Sequence, residues 1–132
     1  MKAYTDIDQS KKLAEILPIE SADMFYRDNG KDVKLMWEHL SEIKVTSPCW
    51  SLSALLNLLP NEIITDNRFE CHYQIHIRKY DGGDNTTLYQ IAYGNARGSS
   101  GSWHDMINTG EKESIIDCCV QMIIKLKEWN LI

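Results

Sequence analysis

Apolar residues recur with a helical period near the middle of the chain. Four leucines follow the i, i+3, i+4, i+7 spacing of one buried helix face: Leu52, Leu55, Leu56 and Leu59. Ser47 is suited to cap this helix, and Pro48 is suited to its first position, where no amide hydrogen is needed. Pro60 disfavours helical geometry at the residue before it. We therefore predict a helix over residues 48–59, with its leucine face at the centre of the core.

Two other amphipathic stretches lie towards the ends of the chain. Residues 6–16 carry a short apolar edge, and Thr5 precedes them in a position to cap a helix. Residues 110–128 have acidic residues early and lysines late, as the helix dipole favours, with Asn108 as the expected cap. The buried stripe predicted for this last helix is Ile115, Cys119, Met122, Leu126 and Trp129. Both stretches are predicted to be helices.

A β-hairpin is predicted over residues 22–37. Asn29-Gly30 is a strong two-residue turn signal, because both positions tolerate a positive φ. Folding the chain about this turn puts apolar side chains opposite one another on one face, in the pairs Tyr26–Val33, Met24–Leu35 and Ala22–Trp37. The turn and the hydrophobic pattern therefore agree.

A meander is predicted over residues 68–107. Residues 68–80 alternate between apolar and polar side chains, which is typical of a half-buried strand. A turn at residues 81–85 and a returning strand at 87–93 give the pairs Ile77–Tyr89, Ile75–Ile91 and Tyr73–Tyr93. Residues 103–107 are the expected third strand.

These elements predict the α+β class. We expect a single domain over residues 1–132, in which an antiparallel sheet carries helices mainly on one face. The sheet comprises hairpin 22–37 and meander 68–107, and the helices lie near 6–16, 48–59 and 110–128.

Charge and composition exclude several classes of function. The formal net charge is −5, and no run of lysine or arginine offers a phosphate backbone a basic patch, so nucleic acid is a disfavoured partner. No segment reaches the ~18 apolar residues that a membrane span needs, and the first ten residues do not resemble a signal peptide. The four cysteines lack a Cys-x-x-Cys spacing. Reduced thiols in the cytoplasm are therefore the expected state.

Cys49 is the candidate nucleophile of the chain. At the start of the predicted helix its thiolate would be favoured by free amides and by the helix dipole. Cys49-Trp50 resembles the Cys-Trp pair of papain-like hydrolases. The candidate bases for such a nucleophile are His72, His76 and His104. The alternative to a nucleophile, which we prefer, is that Cys49 is a small buried residue with no catalytic role.

The sequence gives little evidence for a metal site or a cofactor site. His72 and His76 share one strand face but lie roughly 13 Å apart at ~3.3 Å per residue, which is too far to chelate one ion. The turn at 81–85 lacks the alternating acids of a calcium loop. We predict no metal and no cofactor. The glycine-rich loop 94–102 with Arg97 is a weak candidate for an anion or small-ligand site, and the four tryptophans are expected in or near the core.

Several segments resemble a family of small uncharacterised proteins from Bacteroides-type prophages or mobile elements. The resemblance covers most of the chain and is carried by residues 4–7, 10–18, 21–24 and 48–56, including Pro48-Cys49-Trp50-Ser51. It implies a free-standing cytoplasmic accessory protein and assigns no activity, ligand or functional residue.

A non-enzymatic accessory or interaction protein of such an element is the function that we prefer. Its partner would be an unknown protein, and a homodimer through Ile124 on the last helix is a further candidate. A small cysteine hydrolase centred on Cys49 is the alternative. A third candidate is a small-ligand binding domain that uses the 94–102 loop.

Overall fold

The computed structural model of the protein describes residues 2–27, 32–35, 47–65, 71–97 and 101–132. Within these residues it contains three α-helices, a short 3₁₀ turn and seven strands in antiparallel pairs, which confirms the predicted α+β class. The chain divides into two compact units, residues 1–58 and 59–132, and each unit has its own sheet. The prediction of one domain over the whole chain is not tested by this division and stays a prediction.

The first unit contains a three-stranded sheet of order β2-β1-β3. Its strands are β1 (Met24–Arg27), β2 (Asp32–Leu35) and β3 (Pro48–Cys49). Met24 lies opposite Leu35 and Tyr26 lies opposite Val33, so the predicted hairpin register is confirmed. The predicted turn and Trp37, the expected partner of Ala22, lie outside the described residues.

Helix α1 (Ile7–Ile16) confirms the first predicted helix, but Asp6 caps it in place of Thr5. Asp6 Oδ1 accepts a hydrogen bond from the Gln9 amide at 2.8 Å, and Gln9 Oε1 accepts one from the Asp6 amide at 3.1 Å. This reciprocal arrangement satisfies two backbone amides at the helix start. Thr5 is fully buried, and its hydroxyl lies 2.7 Å from that of Ser10. A 3₁₀ turn (Ile19–Ser21) follows α1.

Helix α2 (Leu52–Leu58) begins later than predicted, so the expected start at residue 48 was wrong. Pro48 and Cys49 pair with β1, which holds their backbone in an extended conformation. Ser51 caps the helix, because its Oγ accepts a hydrogen bond from the Ala54 amide at 3.2 Å. Asp23 in turn accepts a hydrogen bond from the Ser51 amide at 2.9 Å. A contact made over a long separation in sequence therefore sets the start of α2.

The leucine face of α2 is only partly in the core. Leu55 is fully buried, whereas Leu52 and Leu56 are half-buried. Leu13 of α1 and Trp50 are as fully buried as Leu55. The core of the first unit is therefore shared between these elements and is not centred on α2.

The second unit contains a four-stranded antiparallel sheet of order β4-β5-β6-β7. Its strands are β4 (Glu62–Thr65), β5 (Cys71–Asp81), β6 (Thr87–Arg97) and β7 (Ser102–Asn108). The last three confirm the predicted meander. The sequence analysis missed β4, which is short and pairs with the start of β5.

The register between β5 and β6 differs from the prediction by two residues. Ile77 lies opposite Ile91, not Tyr89, and the other predicted pairs are displaced in the same way. The reason is that Asp81 still pairs with Thr87, which moves the loop to residues 82–86. Three loop residues have positive φ, and they are Gly83, Asp84 and Asn85. A shift of two residues leaves every side chain on its predicted face.

Helix α3 (Ile115–Glu128) is shorter than the predicted helix 110–128. Ser114 caps it by accepting a hydrogen bond from the Ile116 amide at 3.1 Å, so the expected cap at Asn108 was wrong. The residues between β7 and α3 instead extend the sheet. Lys112 and Tyr89 exchange two backbone hydrogen bonds of 2.7 and 2.8 Å.

Helix α3 packs on β6 and provides much of the core of the second unit. Its predicted stripe is buried at Cys119, Met122 and Leu126. Trp129 is 53% exposed, which contradicts its predicted place in that stripe. The helix ends at Glu128, so Trp129 is the cap residue and no longer follows the helical period.

Candidate functional site

One face of the second unit's sheet carries polar and aromatic side chains. Ile91 of β6 is fully buried on the side of α3, and alternation therefore places Gln90 and Gly94 on the opposite side. The register adds Arg78 opposite Gln90 and Asp105 opposite Gly94. We call this side the polar face.

A continuous hydrogen-bonded array crosses three strands of the polar face. Arg78 and Asp105 form a bidentate ion pair, with Nη1–Oδ2 and Nη2–Oδ1 distances of 2.9 and 2.7 Å. Trp103 Nε1 donates to Asp105 Oδ1 at 2.7 Å. On the other side, Arg78 Nη1 and the Tyr80 hydroxyl both donate to Gln90 Oε1, at 3.0 and 3.1 Å. We call these five side chains the Trp103–Tyr80 array.

The indole of Trp103 is held on the sheet by two further neighbours. His76 stacks on it, with ring centroids 3.7 Å apart and an interplanar angle of 13°. Gly94 lies beneath it, because a Cβ built on Gly94 would come within 2.8 Å of Trp103 Nε1. The position of the indole is therefore fixed by stacking, by a hydrogen bond and by the absence of a side chain at residue 94.

The ion pair of the array is not poised for proton transfer near neutral pH. The hydrogen bonds from Arg78 lower the pKa of Asp105 below its ordinary value, against a smaller opposing effect of burial. The same contact raises the pKa of Arg78. The two side chains are 25% and 22% exposed, so solvent reaches the array. It presents an ordered, charge-neutral surface at neutral pH.

Cys49 lies in a different kind of environment. Its side chain is fully buried, and its Sγ lies 3.5 Å from the carbonyl oxygen and 3.6 Å from the hydroxyl oxygen of Thr5. Tyr26 donates a hydrogen bond to the same Thr5 carbonyl. Burial raises the pKa of the Cys49 thiol, which outweighs the hydrogen bonds that act in the other direction. The expected burial of Cys49 is confirmed, but its expected place at a helix start was wrong.

The three candidate histidines have separate surroundings. His72 pairs with Glu62 of β4 on an exposed part of the sheet, and His76 stacks on Trp103. His104 of β7 is exposed and lies opposite Asn95, on the face that does not carry the array. The described residues of the first unit, which contains Cys49, include no histidine. Within the described chain, no three side chains of the metal-binding types come together as a site.

Arg97 is held at the end of β6 by two neutral acceptors. Its Nε donates to Asn95 Oδ1 at 2.9 Å, and its Nη2 donates to the Tyr73 hydroxyl at 3.1 Å. The guanidinium carbon lies 5.8 Å from the centre of the Tyr73 ring. Part of the loop proposed from the sequence, residues 98–100, lies outside the described residues.

The Trp103–Tyr80 array was not among the sites predicted from the sequence. The alternation of residues 68–80 puts Arg78 on the polar side of its strand, whereas Trp103 was expected in or near the core and Asp105 had no predicted role. The available signal was the alternation Trp103-x-Asp105 on one strand and Arg78-x-Tyr80 on another. Each pair puts two interacting residue types on one strand face.

Comparisons with protein-family models, with curated proteins and with solved structures find no match to this chain. Within the described residues, no helix has the length and apolar character needed to cross a membrane. The candidate site therefore stands on its geometry.

Proposed function

We propose that the chain is a non-enzymatic interaction protein that binds a protein partner through the Trp103–Tyr80 array. The observation that supports this proposal is the ordered network of Trp103, Asp105 and Arg78 on a solvent-accessible sheet face. Tryptophan, tyrosine and arginine are the residue types that most often dominate binding energy at protein interfaces. All three types occur together in this array.

The rigidity of the array favours binding. A side chain that becomes ordered only on association costs about 0.5–1.5 kcal/mol. The hydrogen bonds of Arg78 and the stacking of Trp103 already restrict these side chains in the free protein. A partner that contacts them therefore loses less of its binding energy to ordering.

The cysteine hydrolase alternative receives less support from the surroundings of Cys49. A nucleophilic thiol needs a base in hydrogen-bond reach and access for a substrate. Among the described residues, the hydrogen-bonding neighbours of Cys49 are Thr5, Tyr26 and Ser10, and its side chain is fully buried. These features favour a structural role in the first unit.

An accessory role in a prophage or mobile element remains part of the proposal. Its support is the resemblance of residues 4–7, 10–18, 21–24 and 48–56 to proteins of such elements. The comparisons with family models and with curated proteins found no match and add no support to it.

Affinity capture with matched tryptophan variants tests the proposed surface. Wild type, Trp103→Ala and Trp129→Ala are immobilised and exposed to an extract of the source organism, and any protein enriched by wild type is then purified for titration. Trp129 is 53% exposed and lies outside the array, so it controls for the loss of an indole. Truncating a hot-spot residue costs about 2 kcal/mol or more, so we expect roughly 30-fold weaker binding by Trp103→Ala.

The control variant should bind within about threefold of wild type, as near-neutral positions do. Far-UV circular dichroism checks that all three proteins are folded. Equal affinities for wild type and Trp103→Ala would contradict the proposed surface. Failure of folded wild type to enrich any protein over a denatured sample would contradict the interaction function itself.

A further inference from the structure

The side chain of Arg97 differs from that of Arg78 in one respect that bears on ligand binding. Arg78 is neutralised by a bidentate contact with Asp105. Arg97 is exposed, and among the described residues no carboxylate lies within ion-pair distance of it. Its two hydrogen-bond acceptors, on Asn95 and Tyr73, are both uncharged. Within the described part of the chain, the positive charge of Arg97 is therefore oriented but has no carboxylate partner.

The orientation of Arg97 is set by a chain of contacts. Asn95 Nδ2 donates to the His72 carbonyl at 3.3 Å, so the amide oxygen of Asn95 faces the Arg97 Nε. The Tyr73 ring, which is 6% exposed, supports the guanidinium from the β5 side. A guanidinium has five N–H donors, and these contacts use two of them. As far as the described residues show, three donors remain for a ligand.

A second polar residue shares the sheet face of this cation. His104 is the register partner of Asn95, so it lies on the same sheet face as Asn95 and Arg97. Arg97 is two residues further along β6, which makes His104 its diagonal neighbour at a typical distance of about 7–8 Å between Cα atoms. His104 is exposed. His104 is therefore a polar residue of the same exposed sheet face, diagonal to Arg97 in the register.

We infer that Arg97, with His104 beside it, forms a binding site for an oxyanion, either a carboxylate or a phosphate group. The fork of an arginine matches the oxygens of both groups, and charge-assisted hydrogen bonds of this kind are roughly twice as strong as neutral ones. The site lies on the opposite face of the sheet from the Trp103–Tyr80 array. It therefore stands or fails independently of the proposed function.

Titration of the folded protein with small anions tests the site. Inorganic phosphate and acetate are added separately at constant ionic strength. The arginine Nε–Hε signals and the backbone amide signals of Asn95 and His104, which every variant keeps, are followed by two-dimensional NMR. We expect a saturable shift of the Arg97 signal with one or both anions, and the comparison shows which oxyanion the site prefers. Chloride at the same ionic strength provides the baseline.

Three variants separate a built site from general attraction to positive charge. Arg97→Gln should weaken binding about tenfold or more, because a hydrogen bond to a charged group contributes roughly 1.5–3 kcal/mol. Arg97→Lys keeps the charge but loses the fork, so its affinity should fall between those of wild type and Arg97→Gln. Lys79→Gln is the matched control, because it removes one positive charge from an exposed residue of β5 that lies six residues along the strand from Tyr73, and it should leave the affinity unchanged.

Two kinds of result would contradict the proposed oxyanion site. No saturable shift at Arg97 with either anion, or equal affinities for wild type and Arg97→Gln, would show that this cation is only a surface charge. An equal loss in Lys79→Gln would show that binding follows net charge and not the Arg97 site. Arg97 is exposed, so loss of folding is not expected to obscure these comparisons.

Discussion

Replacing Gly94 with alanine tests whether the indole of Trp103 and strand β7 lie where the structure places them. A Cβ on residue 94 would be 2.3 Å from the carbonyl oxygen of His104. It would also be 2.8 and 2.9 Å from Nε1 and Cε2 of Trp103. All three distances are shorter than the 3.0 Å below which real Cβ contacts essentially do not occur. The variant is therefore expected to be destabilised.

The size of the effect follows from which atoms have to move. His104 belongs to β7, and its carbonyl oxygen must move by about 1 Å to reach ordinary van der Waals contact. The indole is restrained by its hydrogen bond to Asp105. Overpacking of a well-packed region typically costs about 1–3 kcal/mol. Without a clash, Gly→Ala commonly stabilises a protein by ~0.4–1 kcal/mol, so the sign alone is informative.

Urea unfolding measures this difference. With an m value of about 2 kcal/mol/M, a loss of about 2 kcal/mol lowers the midpoint by about 1 M. The same substitution in a Trp103→Ala background removes the indole contact and leaves the carbonyl contact. We expect Gly94→Ala to remain destabilising in that background. An unchanged or raised midpoint in the wild-type background would refute the close approach of β7 to residue 94.

Two further predictions concern the ion pair and the buried thiol. Because the folded pKa of Asp105 is below its ordinary value of 3.8, its contribution to stability is present above that pH and is lost as the pH falls below it. The difference in unfolding free energy between wild type and Asp105→Asn should therefore shrink on acidification, and urea unfolding at a series of pH values would contradict this by giving a constant difference. Iodoacetamide should label the fully buried Cys49 more slowly than the half-buried Cys71, as followed by mass spectrometry of the native protein. Fast, selective labelling of Cys49 would instead support the hydrolase alternative.

Local sequence signals predicted which helices and strands the chain forms better than they predicted the residues at which these elements begin. The start of α2 illustrates the limit, because Ser47 and Pro48 match a helix start but equally suit a short extended segment. The choice depends on pairing with β1 and on the contact between Asp23 and Ser51. These contacts join residues that are far apart in the sequence, so a local pattern does not contain them.

The register of β5 and β6 illustrates a different limit. Alternation of apolar and polar residues fixes the face of each side chain, but it is satisfied equally by registers that differ by two residues. The turn makes the choice, and here Gly83, Asp84 and Asn85 all have positive φ. Glycine and asparagine are common in this conformation, which places these three residues inside the loop. The sequence analysis began the turn one residue too early.

The face on which Trp103 and Asp105 lie depends on a feature that the sequence analysis did not include. Tyr93 pairs with Ile107, but Gly94 pairs with Asp105, so the register shifts and Met106 is an extra residue in β7. With regular pairing, Met106 would lie opposite Gly94, and the residues at positions 103 and 105 would share the buried face of Ile107.

The bulge therefore moves the indole and the carboxylate onto the polar face. On that face Asp105 forms its ion pair with Arg78, and Trp103 stacks on His76. Bulges often re-aim side chains next to functional sites, and here one extra residue creates the array that we propose as the binding surface. Trp103, which was expected in or near the core, is half-buried on the polar face because of this register shift.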